Sequence, residues 1–113
     1  MKKDICVDFD GVLNTYTHWQ GEDYLFEMKE GCDEFLQKLS QVYNITILTT
    51  RKPHLVTKWL EKYNLQNYIK QVTNQKIPAF AYVDDRAITF NGNYDNLFSD
   101  IINFVHYSKI QSK

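Results

Sequence analysis

Three apolar runs in this 113-residue chain end in groups that do chemistry. The first, ICVDFDGV at residues 5–12, carries Asp8 and Asp10 two positions apart, followed by Gly11. The second, ITILTTR, ends in Thr49, Thr50 and Arg51, and the third, AYVDDRA, ends in Asp84, Asp85 and Arg86, with Lys76 eight residues before Asp84. A buried strand does not carry carboxylates near its tip unless something balances their charge, because desolvating an unpaired carboxylate is costly. If parallel strands bring these ends together, mutual repulsion raises the carboxyl pKa values or demands a cation. The donors are all oxygens and no Cys/His pattern accompanies them, so Mg²⁺ is the natural cation. A phosphate substrate fits the same charge logic, with Lys76 and the Thr49 hydroxyl as grips for its oxygens. The reaction class this implies is phosphoryl transfer.

The elements that must position these groups follow from periodicity. Residues 4–9 read as a buried strand closed by Gly11, and alternation alone would turn Asp8 and Asp10 to the same side. Residues 12–30 mix polar and aromatic side chains around Gly21, which predicts a hairpin or ordered flap over about 14–28. In GCDEFLQKLSQV, residues 31–42, the side chains Phe35, Leu36, Leu39 and Val42 recur at helical spacing. YNITILTTR is β-branched and predicts a buried strand. KPHLVTKWLEKYN opens with Pro53 at a first helical turn and aligns Leu55, Val56, Trp59, Leu60 and Tyr63 on one apolar face, with Trp59 in the core. YIKQVT and AFAYVDD are further strands, and DNLFSDIINFVHYS is a closing amphipathic helix with Leu97, Ile101 or Ile102, and Val105 inward. Strands alternating with helices mean βαβ units and a mostly parallel sheet. The expected fold is therefore an α/β three-layer sandwich, Rossmann-like, forming one domain over 1–113, and ligands of such sheets bind outside the carboxyl ends of the strands.

Composition narrows the field. The net charge of −1 removes the strongest reason to expect a nucleic-acid or membrane-surface binder. The N-terminal MKKDICVDFD lacks the apolar stretch of a signal peptide, and no run approaches a membrane span. Cys6 and Cys32 show no metal spacing, and Cys6 lies in an apolar run, so a free buried thiol and a reducing, cytoplasmic setting are expected. His18, His54 and His106 have neither metal nor triad spacing. Tyr16, Trp19 and Tyr24 in the flap either stack on a base or anchor the flap to the core.

VDFDGV, ITILTTR, Lys76 and YVDDRA resemble, in order, the four motifs of the haloacid dehalogenase superfamily of phosphohydrolases, and the resemblance spans residues 5–90. It implies that Asp8 attacks phosphorus to form an aspartyl-phosphate, and that Asp10 protonates the leaving oxygen and then activates water. It further implies that Thr49 hydrogen-bonds the transferring group and that Lys76, with Lys70 as a rival, neutralises charge. Asp8, the Asp10 carbonyl and Asp84 would hold Mg²⁺, with Asp85 bound directly or through water. Gly11 would make the tight turn, while Thr50 and Arg51 would face substrate, together with Lys52 and Lys58. Arg86 falls outside this set. Val12 stands where the superfamily usually has Thr. Only 38 residues lie between Asp10 and Thr49, and Thr49 and Lys76 are 27 apart, so neither gap holds the cap domain common in these enzymes. An open, capless site implies a large substrate or a second copy of the chain acting as lid.

TRKPHLVTKWL and YVDDRA also resemble the phosphatase half of polynucleotide kinase-phosphatases, which implies a nucleotide or nucleic-acid end as substrate. The same residues serve transfer to another acceptor. A non-catalytic phospho-accepting domain is a further alternative, but a receiver places its paired acids after the first strand and its phosphorylated Asp after the third.

Overall fold

The computed structural model describes residues 2–21, 23–75, 81–83 and 92–111. Lys76, Asp84, Asp85 and Arg86 therefore lie outside the described residues. Among the described residues, four strands form one parallel sheet: β1 (Lys3–Asp8), β2 (Tyr43–Leu48), β3 (Ile69–Thr73) and β4 (Ala81–Val83), in the order β3-β2-β1-β4. Three helices accompany them there: α1 (Cys32–Ser40), α2 (Pro53–Lys62) and α3 (Tyr94–Gln111), with a 3₁₀ turn at Gln66–Tyr68. The sequence α1 between β1 and β2, then α2 between β2 and β3, is the expected pair of βαβ units. No cap domain interrupts them among the described residues. No helix among the described residues is long and apolar enough to cross a membrane.

Strand order follows from burial. Ile5, Val7 and Phe9 are fully buried, and β1 sits between two neighbours, paired through Ile5↔Ile45 and Val7↔Ile47 on one side and Val7↔Val83 on the other. A strand hydrogen-bonded on both edges exposes no backbone, which suits an apolar run interrupted by few charges. Ile5 and Val7 of β1 and Tyr43, Ile45 and Ile47 of β2 join one apolar cluster with Phe35, Leu36 and Leu39 of α1, Val56, Trp59 and Leu60 of α2, and Leu97 and Ile101 of α3. Cys6 and Thr46 point to the opposite side and are buried there, with Thr46 Oγ1 accepting from Gln71 Nε2 at 3.3 Å.

Two expected boundaries shift for local reasons. β1 ends at Asp8 rather than Phe9, because the Phe9 N–H turns to Asp8 Oδ1 at 2.9 Å and the Phe9 carbonyl accepts from Val12 and Leu13. α1 stops at Ser40, and Val42 is 42% exposed instead of inward. The next residue, Tyr43, opens β2 and fills the inward position with its own ring. Of the two isoleucines offered for the inner face of α3, Ile101 is buried and Ile102 is exposed; Val105 has no described side chain.

The helix ends use ordinary chemistry. Pro53 starts α2, where its missing N–H costs nothing, and Asp33 and Glu34 sit in the first turn of α1 against the helix dipole. α2 closes with Asn64 at φ 58°, while Asn64 N–H donates to the Glu61 carbonyl at 3.1 Å and Leu65 N–H to the Leu60 carbonyl at 2.8 Å. This is a Schellman closure with Asn where Gly is easiest. Asn64→Gly is therefore expected to raise stability by a few tenths of a kcal/mol, up to about 1, read as a higher denaturant midpoint.

Tyr94 joins α3 to the rest. Its ring stacks on Phe35 with centroids 4.8 Å apart, and its hydroxyl donates to the Val12 carbonyl in the loop after β1. The Cys32 thiol hydrogen-bonds the same tyrosine, but burial dominates and pushes that thiol up to about 12. A raised thiol pKa means that its contribution to stability is complete below the ordinary value of 9.0 and is lost as pH climbs toward 12. Cys6 and Cys32 are both buried and neither is in a disulfide. Native protein is thus expected to resist iodoacetamide at pH 8, with both cysteines modified only after denaturation, as counted by intact mass.

Candidate active site at the carboxyl end of β1

β1 leads through α1 to β2 on one side, while β4 enters on its other side, so the strand order reverses beside β1. That is where a crevice opens in a parallel sheet. Asp8 is the last residue of β1 and pairs in register with Leu48, the last residue of β2. Thr49 follows immediately, so the Asp8 and Thr49 backbones stand on adjacent strand ends. Asp8 is half-buried, and its Oδ1 accepts from the Phe9 N–H. Thr49 is buried; its N–H donates to the Thr73 carbonyl at 3.0 Å, and its Oγ1 accepts from the Arg51 N–H at 3.0 Å. With its oxygen fixed as an acceptor, the hydroxyl proton remains for a donor role. Thr50 is exposed.

Asp10 arrives by a turn rather than by strand alternation. Gly11 sits at φ 83°, a conformation that strains any residue with a Cβ. Among the described residues, no atom beyond its chain neighbours lies within 4 Å of where that Cβ would be, so the expected cost is backbone strain. Gly11→Ala is expected to lower stability by about 1–2 kcal/mol, measured by urea denaturation. The Gly11 N–H donates to Asn14 Oδ1 at 2.9 Å. Asn14 is buried; its Oδ1 also accepts from Tyr16 N–H at 3.2 Å, and its Nδ2 donates to Asp10 Oδ1 at 3.1 Å. The sequence reading passed over Asn14. An Asn three residues after a Gly-containing turn, able to bond the backbone on both sides of itself, is the signal that would have found it.

Arg51 is the other surprise. Its side chain is fully buried, and its Nε donates to both Asp10 oxygens, at 2.9 Å to Oδ2 and 3.2 Å to Oδ1. Its Nη1 donates to the Gly21 carbonyl at 3.2 Å, and its guanidinium lies 5.0 Å from the centre of the Trp19 ring. The residue expected to face substrate phosphates thus has its guanidinium set against Asp10 and the flap.

The flap is closed at its base by the antiparallel bridge Asn14↔Met28, with Thr15 N–H to Glu27 carbonyl at 3.0 Å and Lys29 N–H to Leu13 carbonyl at 2.9 Å. Its inner aromatics pack edge-on around Phe26: Tyr16 at 5.5 Å, Tyr24 at 4.9 Å and His18 at 6.1 Å. Trp59 Nε1 reaches across from α2 to the Phe26 carbonyl at 2.8 Å. Tyr16 is therefore an anchor, whereas Trp19 and Tyr24 leave much of their rings exposed. Lys70, the rival of Lys76, pairs with Asp4 at 3.1 Å near the opposite end of β1 and is not part of this cluster.

A profile of the NLI interacting factor-like phosphatases matches residues 3–94. The chain belongs to that family. It is a phosphatase, a phosphoric monoester hydrolase of the haloacid dehalogenase type, as the four motifs imply. Among solved structures, a conserved protein of Bacteroides thetaiotaomicron superposes on the phosphatase with a TM-score of 0.69 over 100% of both chains, at 18% identity. That likeness carries the fold. A search of curated proteins gave no match.

The oxygen-only donor set at this crevice suits a hard divalent cation. Among the described residues no group of three or more His, Cys, Asp or Glu side chains converges, and the expected ligands Asp84 and Asp85 fall outside them. The Asp10 carboxylate is already engaged by Arg51 and Asn14, so the metal role expected of this residue suits its main-chain carbonyl better than its side chain.

Proposed function

We propose that this phosphatase hydrolyses phosphomonoesters through an aspartyl-phosphate on Asp8. The observation that carries this reading is the pairing of Asp8 with Leu48 in register, which sets a carboxylate and the Thr49 hydroxyl on neighbouring strand ends at the switch point of the sheet. In the first step an Asp8 oxygen bonds to phosphorus as the ester P–O bond breaks, and the leaving oxygen takes a proton from Asp10. In the second, a water oxygen bonds to the same phosphorus, its proton passes to Asp10, and Asp8 leaves as the carboxylate with inorganic phosphate. The Thr49 hydroxyl donates to an oxygen of the group in transit. Asp8 and the Asp10 carbonyl, with Asp84 and Asp85, would hold Mg²⁺, which supplies neutralising charge to the phosphate when bound. Lys76 would add a second cation.

The substrate class we infer is a nucleotide or a phosphorylated nucleic-acid end. Support comes from the absence of a cap domain, from the exposed Trp19 and Tyr24 rings on the flap, and from exposed Lys52 and Lys58 beyond Thr50. Purified protein with Mg²⁺ is expected to release phosphate from an aryl phosphate and from members of a panel of nucleotides, sugar phosphates and 3′- or 5′-phosphorylated oligonucleotides. EDTA should stop the release and added Mg²⁺ restore it. No Asp8-dependent release from any member overturns the hydrolase reading. A stable phosphoryl label on Asp8 without release would assign the phospho-accepting alternative instead.

A further inference from the structure

We propose that Arg51 is a positioning residue for leaving-group protonation, and that the flap acts on the chemistry through it. The inference rests on the proposed role of Asp10 as proton donor. Arg51 touches no reacting atom in that scheme; it fixes the carboxylate that does. Its Nε is shared between both Asp10 oxygens, and Asn14 Nδ2 supplies a second donor to Oδ1, so donors on both sides define the rotation of the carboxyl group. The guanidinium is in turn held by two parts of the flap: the Gly21 carbonyl bonds Nη1, and the Trp19 ring covers the cation.

The burial pattern makes this chain of contacts directional. The Arg51 side chain is 0% exposed, while Asp10 keeps 19% of its side chain open toward solvent. A buried guanidinium stays charged and keeps a rigid fork of donors, so it holds its partner's angle better than a flexible ammonium does. Asp10 is thus supported from beneath and accessible from the crevice side. A shift of the flap moves Gly21 and Trp19 first, then Arg51, then the acid. Proton delivery to an oxygen requires hydrogen-bond geometry, and small misplacements cost rate. The flap is accordingly part of the acid's mounting as well as a wall of the site.

Leaving-group dependence separates this role from a general structural one. An aryl oxide departs with little help, whereas an alkoxide needs the proton. The kcat/KM of each ester reports the chemistry up to Asp8 phosphorylation, so it isolates the step in which the leaving oxygen is protonated. Wild-type protein, Asp10→Asn, Arg51→Gln, Arg51→Lys and Trp19→Ala would be compared on p-nitrophenyl phosphate and on an alkyl phosphate. Asp10→Asn and Arg51→Gln are expected to lose about 10-fold or more on the alkyl ester relative to the aryl ester. Arg51→Lys should recover part of the alkyl rate. Trp19→Ala, at a ring 58% exposed, leaves the core intact and should show the same selective loss in smaller measure, which keeps the test decisive if the buried Arg51 variants fail to fold. Equal loss on both esters, or no loss on either, overturns the positioning role and leaves the phosphatase reading standing. Wild-type protein without Asp8-dependent release overturns both.

Discussion

Asp8→Asn protein is expected to fold normally and to release phosphate more slowly by on the order of 10⁴-fold or more, since it removes the group proposed to form the covalent intermediate and with it most of the catalytic assembly. The amide retains an Oδ1 for the Phe9 N–H, which Asp8 accepts at 2.9 Å, so the turn that ends β1 keeps its anchor. What the amide lacks is the charge and the nucleophilic lone pair that the proposed attack on phosphorus requires. Circular dichroism and thermal unfolding should therefore match wild type while phosphate release falls to the background of a mock preparation. Retained turnover above about one-tenth of wild type would remove Asp8 from the nucleophile's role.

The largest expected loss of stability is at Trp59. The indole is 4% exposed, meets Phe9 edge-on with centroids 4.9 Å apart, and donates to the Phe26 carbonyl in the flap. Trp59→Ala removes a large buried side chain and is expected to cost about 3–5 kcal/mol. Against a total of roughly 5–15 kcal/mol for a domain, that approaches unfolding. Each kcal/mol moves the midpoint by about 4–8 °C in a domain of about this size, so Tm should fall by on the order of 15 °C or more. Trp59→Phe separates two contributions, because it keeps most of the ring but leaves the Phe26 carbonyl without its donor. That variant should lose about 1–3 kcal/mol and should expose the flap to limited proteolysis near residues 14–28 before the sheet opens. A Trp59→Ala midpoint within a few degrees of wild type would contradict the packing described.

Residue types announced the frame of the molecule well. β-Branched runs marked β1 and β2, and Pro53 marked the start of α2, so the parallel sheet was readable. Strand β3 was harder to read, since Lys70 and Gln71 face solvent at the sheet edge and break the apolar pattern. The groups around Asp10 were only partly readable. Asn14 lies at a local spacing from the Gly turn it ties down, but a guanidinium 41 positions away that turns inward depends on contacts that no local spacing encodes. Arg51 followed two threonines at a strand end, which is equally consistent with a residue facing phosphate. Only the burial of its side chain distinguishes the two roles.

The flap also makes the phosphatase readily remodelled. Its two ends meet at the Asn14↔Met28 bridge and leave the core as neighbours, with the hydrogen bonds of the stem made between main-chain atoms and so indifferent to side-chain identity. Closing a longer loop between ends already held together costs only about 0.6 kcal/mol for each doubling of its length. The stem can therefore accept a grafted segment, or a whole inserted module, at little expense to the sheet below. The flap is in that sense an exchangeable part, attached by one stem whose Asn14 touches Asp10.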